Sequence, residues 1–407
     1  MARKSETEVL VVGAGPVGLI TALQLRHQDI DVRLIDRGYW TSKESYGLAL
    51  HPPTLRLLAE LGVDKPLLED GLKISQLILH LDGKRVYTHD LAASGGEPGY
   101  LLVAAQQRLE LALVEALRTE GVTVGWNQEL LELDSPEEEA EAVVSHLGDV
   151  ATGYGVSDLA RVEQERETVR ARTVIGADGY GSTVRQRLGI PARRYHAPVN
   201  YEVFEVEAEA SSLPDSMNVF VGSGGSSAVL WPMPGGVCRW SFEMPAAEAQ
   251  DLTVSRLRQL IQEHAPNHMP ELHNLRWAAS VSFAQHLAES LHRGASWLAG
   301  DAVHQTLPYA VQSLNAGLQE GYRLAKALDW GTGSRRAGLL DDYEREVHGE
   351  WEALLSLSPL LPATAGLDPA LRNRLADLVA ALPATGEPLI ESARAMITAL
   401  KQPAANP

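Results

Sequence analysis

The chain has 407 residues, 45% of them hydrophobic and 22% charged, a balance that supports sizeable buried cores in two or three domains and excludes a peptide-sized or globally disordered protein. Its 35 Lys and Arg against 53 Asp and Glu leave a net charge of −18, which argues against nucleic acid or an anionic membrane surface as the main partner. The single cysteine, Cys238, excludes an internal disulfide, a CxxC redox pair and a multi-cysteine zinc site.

The run EVLVV from Glu8 to Val12 predicts a buried strand, and GAGPVGLITALQLRH turns from it into a helix with Pro16 in the first turn. DVRLIDR is a second strand ending at Asp36, which completes a βαβ unit. HPPTLRLLAELGV reads as a helix opened by two prolines, and ISQLILHLDGKRVYTHDL as a hairpin turning at Asp82-Gly83. AAQQRLELALVEALRTEG returns to helix. The acidic SPEEEAE is a solvated edge leading into strands that end at VRARTVIGADG. From Val199 to Met244 the chain predicts a mostly antiparallel sheet, where Trp231 and Trp240 either line a pocket for a planar molecule or pack as core aromatics. DLTVSRLRQLIQEHA is a helix, ASWLAGD a buried strand, SLNAGLQEGYRLAKAL a helix, and the remainder is helical with a fraying tail. A glycine-rich turn interrupts the first apolar stretch where a signal-peptide core would run, and no window is long and apolar enough to span a membrane, so a cytoplasmic, soluble protein is expected.

Gly13, Gly15 and Gly18 stand between a strand and a helix, with Asp36 closing the next strand. This is the pattern for an ADP-containing dinucleotide: a tight turn, backbone access to a pyrophosphate, close helix packing, and a carboxylate for ribose hydroxyls. It does not separate FAD from NAD. HAPNH places His264 and His268 four apart, but Pro266 intervenes and no third ligand is evident, so no metal is expected. No GxSxG, P-loop or HExxH motif is present.

Two further stretches separate the cofactors. IGADGYGSTVRQRLG places Asp178-Gly179 at a strand end before Ser182 and Arg185, and LAGDAVHQTLPYAVQSLNAGLQEG places Gly300-Asp301 at another, before a proline-bearing loop and a helix. With GAGPVG, in this order, they resemble the fingerprints of the class A flavoprotein monooxygenases, the para-hydroxybenzoate hydroxylase-like family. The resemblance implies an α/β fold (α+β overall): a Rossmann-type FAD domain assembled from residues 1–72, 99–190 and 285–345, a substrate domain from a hairpin at 73–98 and a β-sheet at 191–284, and a helical segment at 346–407.

It also implies FAD held by Gly13, Gly15, Pro16, Val17 and Gly18, with Asp36 and Arg37 at the adenosine ribose, although the family more often has Glu in place of Asp36. Gln106 would contact the flavin, Asp178 would lie near the pyrophosphate and the nicotinamide path, and Gly300 and Asp301 would meet ribitol or ribose hydroxyls. Pro308 would face the flavin ring, with Ser313, Leu314 and Asn315 at its pyrimidine end, and Tyr46, His51 and Pro308 would line the reaction site. The implied activity is hydroxylation of an aromatic or conjugated small molecule with NADPH or NADH and dioxygen, through a flavin hydroperoxide that requires no covalent protein nucleophile.

The alternatives are a flavin-dependent dehydrogenase, reductase or cyclase of the same fold, and a flavin-free binding protein, against which the intact motifs weigh. Two departures matter. Ala310, Val311, Gln312 and Ser313 replace a glycine-rich loop, and because a β-branched Val disfavours positive φ the loop is expected to be reshaped. Tyr46 stands where the family frequently has Arg. Nicotinamide identity and oligomeric state carry no motif in the sequence.

Overall fold

The computed structural model describes residues 3–42, 49–93, 97–151, 159–222, 227–245, 251–309, 311–328 and 333–401. Tyr46 and Ala310 lie outside the described residues.

The first sheet is built on Arg3–Val12, which pairs in parallel with Leu159–Gly176 on one side and Val32–Asp36 on the other. Ser296–Leu298 and Gly125–Trp126 extend the parallel order at either side. Val9, Leu10 and Val11 are fully buried, as a continuous apolar run must be when both faces of a parallel strand are covered. The first strand begins earlier than its apolar run because Arg3–Thr7 continues the ladder against Glu167–Ala171. The Pro16–Arg26 helix packs against both the Gln106–Thr119 and Gln312–Ala327 helices.

The second sheet has seven strands in the order Leu272–Phe283, Val199–Ala208, Val237–Met244, Ser227–Met233, Met217–Val221, Gln76–Leu81, Lys84–Asp90. All neighbours are antiparallel except Met217–Val221 against Gln76–Leu81. The hairpin at Asp82-Gly83 turns with φ of 48° and 74°, the doubly positive geometry that Asp-Gly favours. Strand alternation gives this sheet two cores. Tyr201, Val203, Val229 and Trp231 face Leu307, Tyr309 and the C-terminal helices Leu375–Ala380 and Gly386–Lys401. Phe204, Leu230, Trp240 and Phe242 face the Val254–His264 helix.

That alternation separates the two tryptophans. Trp240 pairs across from Leu230, not Trp231, so it belongs to the outer core and cannot share a pocket with Trp231. Each buried aliphatic or aromatic side chain contributes about 1.5–3 kcal/mol relative to exposure. The C-terminal segment is therefore a structural wall of the second sheet's inner face. None of the described helices is long and apolar enough to cross a membrane.

Candidate active site

A Cβ on Gly13, whose φ is +107°, would fall 2.3 Å from the carbonyl oxygen of Ala177, and one on Gly18 would fall 1.9 Å from that of Gly13. Only glycine allows the first strand, the helix and the Ala177–Asp178 strand end to meet so closely. Nothing lies within 4 Å of a Cβ built on Gly15, so the start of the helix, with its unsatisfied first-turn N–H groups, is open to an anion. The cavity there, about 270 Å³, is lined by Gly13, Gly15, Asp36, Arg37, Asp178 and Gly179 among others. Asp36 braces it by accepting from the backbone N–H of Ala14 at 2.7 Å and of Gly38 at 2.6 Å.

Asp178 accepts from the Ser182 hydroxyl at 2.5 Å and from the Val184 N–H at 3.1 Å, so it tethers the short Thr183–Arg187 helix while lining the cavity. Burial pushes its pKa up. Arg185 donates to the carbonyls of Ala302 at 2.5 Å and Tyr180 at 3.1 Å, locking the Asp178-Gly179 and Gly300-Asp301 segments together. Val17 fills the contact between Gly300 and Gly317, leaving no room for a Cβ on either. Burial also raises the pKa of Asp301. Behind it, His304 lies 2.6 Å from the Glu320 carboxylate, which also accepts from the Trp351 indole at 2.6 Å.

The loop before the Gln312–Ala327 helix is held by its own polar groups. The Thr306 N–H donates to Ser313 Oγ at 3.2 Å. Asn315 spends its whole amide on protein: Oδ1 accepts from the His51 N–H at 2.7 Å, and Nδ2 donates to the carbonyls of Ala49 and Val311, both at 2.9 Å. It therefore fastens the buried His51 turn to the helix start. Gln106 donates to Glu110 at 2.8 Å, and Glu110, its pKa raised by burial, also accepts from the Ser42 N–H at 2.8 Å. Val311 corrects the expectation of a reshaped loop. Its φ of 57° and ψ of 36° are left-handed, so the backbone takes the conformation that glycine would allow and the β-branched side chain bears the strain.

Pro308 leads into a row of hydrogen bonds. The Tyr201 hydroxyl donates to that of Tyr309 at 2.9 Å, Tyr309 lies 2.5 Å from Ser227 Oγ, and Ser227 donates to Glu243 at 2.7 Å. Because Ser227 has one hydroxyl hydrogen and gives it to Glu243, Tyr309 is the donor to Ser227. Arg374 joins Glu243 at 2.5 Å and Asp377 at 3.0 Å. Burial, with Glu243 reinforcing it against Arg374, lifts Asp377 to about 6. Burial raises both tyrosines, so they remain neutral phenols.

A family model for an FAD binding domain matches residues 6–358. The chain belongs to that FAD-binding family. It is 29% identical to 6-methylpretetramide 4-monooxygenase of Streptomyces rimosus over 91% of this chain and 63% of that protein. It is likewise 29% identical to rifampicin monooxygenase of Streptomyces venezuelae, over 84% of this chain and 68% of that one. The chain thus spans just under two thirds of the first relative's length. The crystal structure of p-nitrophenol 4-monooxygenase from Pseudomonas putida shares its fold, with a TM-score of 0.75, 22% identity, and coverage of 98% of this chain and 99% of that one.

The residues present fit FAD. The glycine cradle leaves an opening at a helix start, Asp36 and Arg37 line it, and the carboxyl of Asp301 has no hydrogen-bond partner among the described residues. Sequence reading missed Tyr201, Tyr309, Ser227, Glu243, Arg374 and Asp377. Their positions follow no short motif, and the one available signal was Tyr309 directly after Pro308.

Proposed function

We propose that the protein is an FAD-dependent monooxygenase that uses NADH or NADPH and dioxygen to hydroxylate an aromatic or conjugated small molecule. The observation that carries this reading is the convergence of the Gly13–Gly18 turn, Asp178-Gly179 and Gly300-Asp301 within a chain matched to an FAD binding domain over residues 6–358. The relatives named as monooxygenases support the oxygen-inserting chemistry. Gly15 and the helix start would receive the pyrophosphate, Asp36 and Arg37 the adenosine ribose, Asp301 the ribityl hydroxyls, and Pro308 with Ser313 and Leu314 the ring. Asp178 would sit near the pyrophosphate, while Asn315, Gln106 and His51 would shape the ring site through the contacts they make within the protein.

The chemistry supplied by bound FAD is reduction by a nicotinamide and transfer of one atom of dioxygen to an electron-rich carbon, the other atom leaving as water. The chain's own part is to bind, orient and keep out solvent. Trp231, Leu307 and Tyr309 form a dry wall next to Pro308, and the Trp231 indole steadies it by donating to the Tyr309 carbonyl at 3.2 Å. The row from Tyr201 to Glu243 holds protons at Tyr309 Oη and Ser227 Oγ. A cavity of about 510 Å³ lined by Ala104, Ala105, Arg108, Met233, Pro234 and Trp277 has the volume for a small-molecule substrate. The lone cysteine, Cys238, supports a reducing compartment such as the cytoplasm.

The test is turnover of a panel of phenols and polycyclic aromatics under labelled dioxygen, read by product mass. Incorporation of one labelled oxygen, coupled to nicotinamide oxidation, is the expected result. Oxidised product without label would transfer the assignment to a dehydrogenase of the same fold.

A further inference from the structure

We infer that Glu110 is a positioning residue of the FAD site, whose carboxylate fixes the segment 36–42 and the Gln106 side chain relative to one another before the cofactor arrives. The inference rests on the FAD reading and gives a role to a buried group that the proposed chemistry does not otherwise use.

Glu110 lies in the Gln106–Thr119 helix and is 2% exposed. A carboxylate buried this deeply is ordinarily matched by a cation, yet none of the described residues supplies one. Its two oxygens are divided instead between two neutral donors. Oε2 accepts from the Ser42 N–H and Oε1 from Gln106 Nε2, each at 2.8 Å. Burial disfavours the ionised form, and the negative charge of Asp36 adds to the effect. An apolar side chain would cost less in this place, and a local rule broken at a cost in stability points to a functional position.

Both donors belong to segments that border the site. Segment 36–42 begins with Asp36 and Arg37, which line the cavity at the helix start. Asp36 anchors that end through the N–H groups of Ala14 and Gly38, and Glu110 anchors the other end at Ser42. Arg37 is held between the two anchors. Gln106 stands one turn before Glu110 on the same helix face and directly follows Ala104 and Ala105, which line the cavity of about 510 Å³. One carboxylate thus sets the Asp36–Arg37 wall against the helix that opens the second cavity.

Only a carboxylate suits both donors. An amide offers one oxygen and one NH2 group, so Glu110→Gln, of the same size, confronts either Ser42 or Gln106 with a second donor. Exchanging the pair, Gln106→Glu together with Glu110→Gln, allows both bonds again. The amide at 110 then accepts from Ser42 and donates to the carboxylate at 106, whose second oxygen replaces the Gln106 oxygen, and net charge is unchanged.

The test is fluorescence titration of FAD into the FAD-free protein, with thermal unfolding of the FAD-free protein alongside. Glu110→Gln is expected to weaken FAD binding about tenfold. Its unfolding midpoint should stay close to that of the parent, because removing a lone buried charge offsets the lost hydrogen bond. The exchanged double variant is expected to recover FAD affinity to within about threefold of the parent, the coupling that a shared bond produces. If Glu110→Gln does not fold, Glu110→Leu, which removes the carboxylate without adding a donor, takes its place. FAD affinity unchanged in the folded single variant, or a double variant that binds no tighter than the single one, overturns the proposal and leaves the FAD reading intact. A parent protein that binds no FAD overturns both.

Discussion

The Tyr201 hydroxyl donates to the Tyr309 hydroxyl across 2.9 Å, tying a central strand of the antiparallel sheet to the residue after Pro308. Both rings are buried, and their planes meet nearly at right angles, 88° apart, with centroids 5.6 Å apart. The two phenols are not equivalent. Tyr309 both accepts from Tyr201 and donates to Ser227, whereas the Tyr201 hydroxyl makes no other hydrogen bond among the described residues. Tyr309→Phe should thus cost about 1–3 kcal/mol, by stranding a buried donor and leaving Ser227 short of one, and Tyr201→Phe about 0.5–1.5 kcal/mol. In the double variant the losses should fall short of their sum, because the pair shares one bond. Urea midpoints measure all three, and a larger loss from Tyr201→Phe would contradict the donor order.

Val311 makes a second prediction. Its left-handed backbone, with φ of 57°, costs an L-residue roughly 1–2 kcal/mol that glycine does not pay. Glycine in turn loses about 0.5–1 kcal/mol of chain entropy. Val311→Gly should therefore be close to the parent in stability, and Val311→Ala, which keeps the strain and gives up the side chain's packing, should be less stable than Val311→Gly by about 1 kcal/mol. Thermal midpoints decide it. Alanine outperforming glycine would mean that residue 311 has negative φ in solution.

Val311 also marks where sequence reading reached its limit. The parallel core was legible because Val9–Val12 is apolar without interruption and because Gly13 and Gly18 each sit where a single Cβ would strike backbone. Those are local constraints, written in adjacent residues. The loop conformation is not local: Asn315 reaches His51 and Ala49, and Gln312 reaches Val379 and Leu382, so contacts from remote segments hold a backbone that Val311 alone would avoid. The facing of Trp231 and Trp240 was illegible for a related reason. Alternation fixes faces within one strand, but relating two strands needs their register, which the chain reveals only once folded.

Acid sensitivity should trace partly to His286. Burial, reinforced by the nearby Arg185 and Arg194 guanidinium groups, lowers its pKa to about 4 from the ordinary histidine value near 6.5. Between those values the unfolded chain binds the proton and the folded protein does not. Its contribution is therefore fully present above pH 6.5 and is lost as pH falls toward 4. The loss should be of order 1–3 kcal/mol. His286→Gln, which has no proton to take up, should show a flatter dependence of unfolding free energy on pH across this window. An unchanged slope would show that His286 titrates normally in the folded protein.

Gly15 and Gly18 separate cofactor binding from folding within one motif. A methyl at Gly18 lands 1.9 Å from the Gly13 carbonyl oxygen, which is backbone and cannot yield without opening the turn. Gly18→Ala should thus destabilise the FAD-free protein by about 2 kcal/mol or more and also weaken FAD. A methyl at Gly15 meets nothing within 4 Å, and the residue's φ of −71° suits alanine. Gly15→Ala should leave the FAD-free unfolding midpoint within about 0.5 kcal/mol of the parent. The space it occupies is the approach to the helix start, where the pyrophosphate is assigned, so FAD affinity should fall by about tenfold or more, equivalent to about 1.4 kcal/mol. Flavin fluorescence titration and FAD-free melting together read the two effects. If Gly15→Ala bound FAD as tightly as the parent, the pyrophosphate would not lie against Gly15.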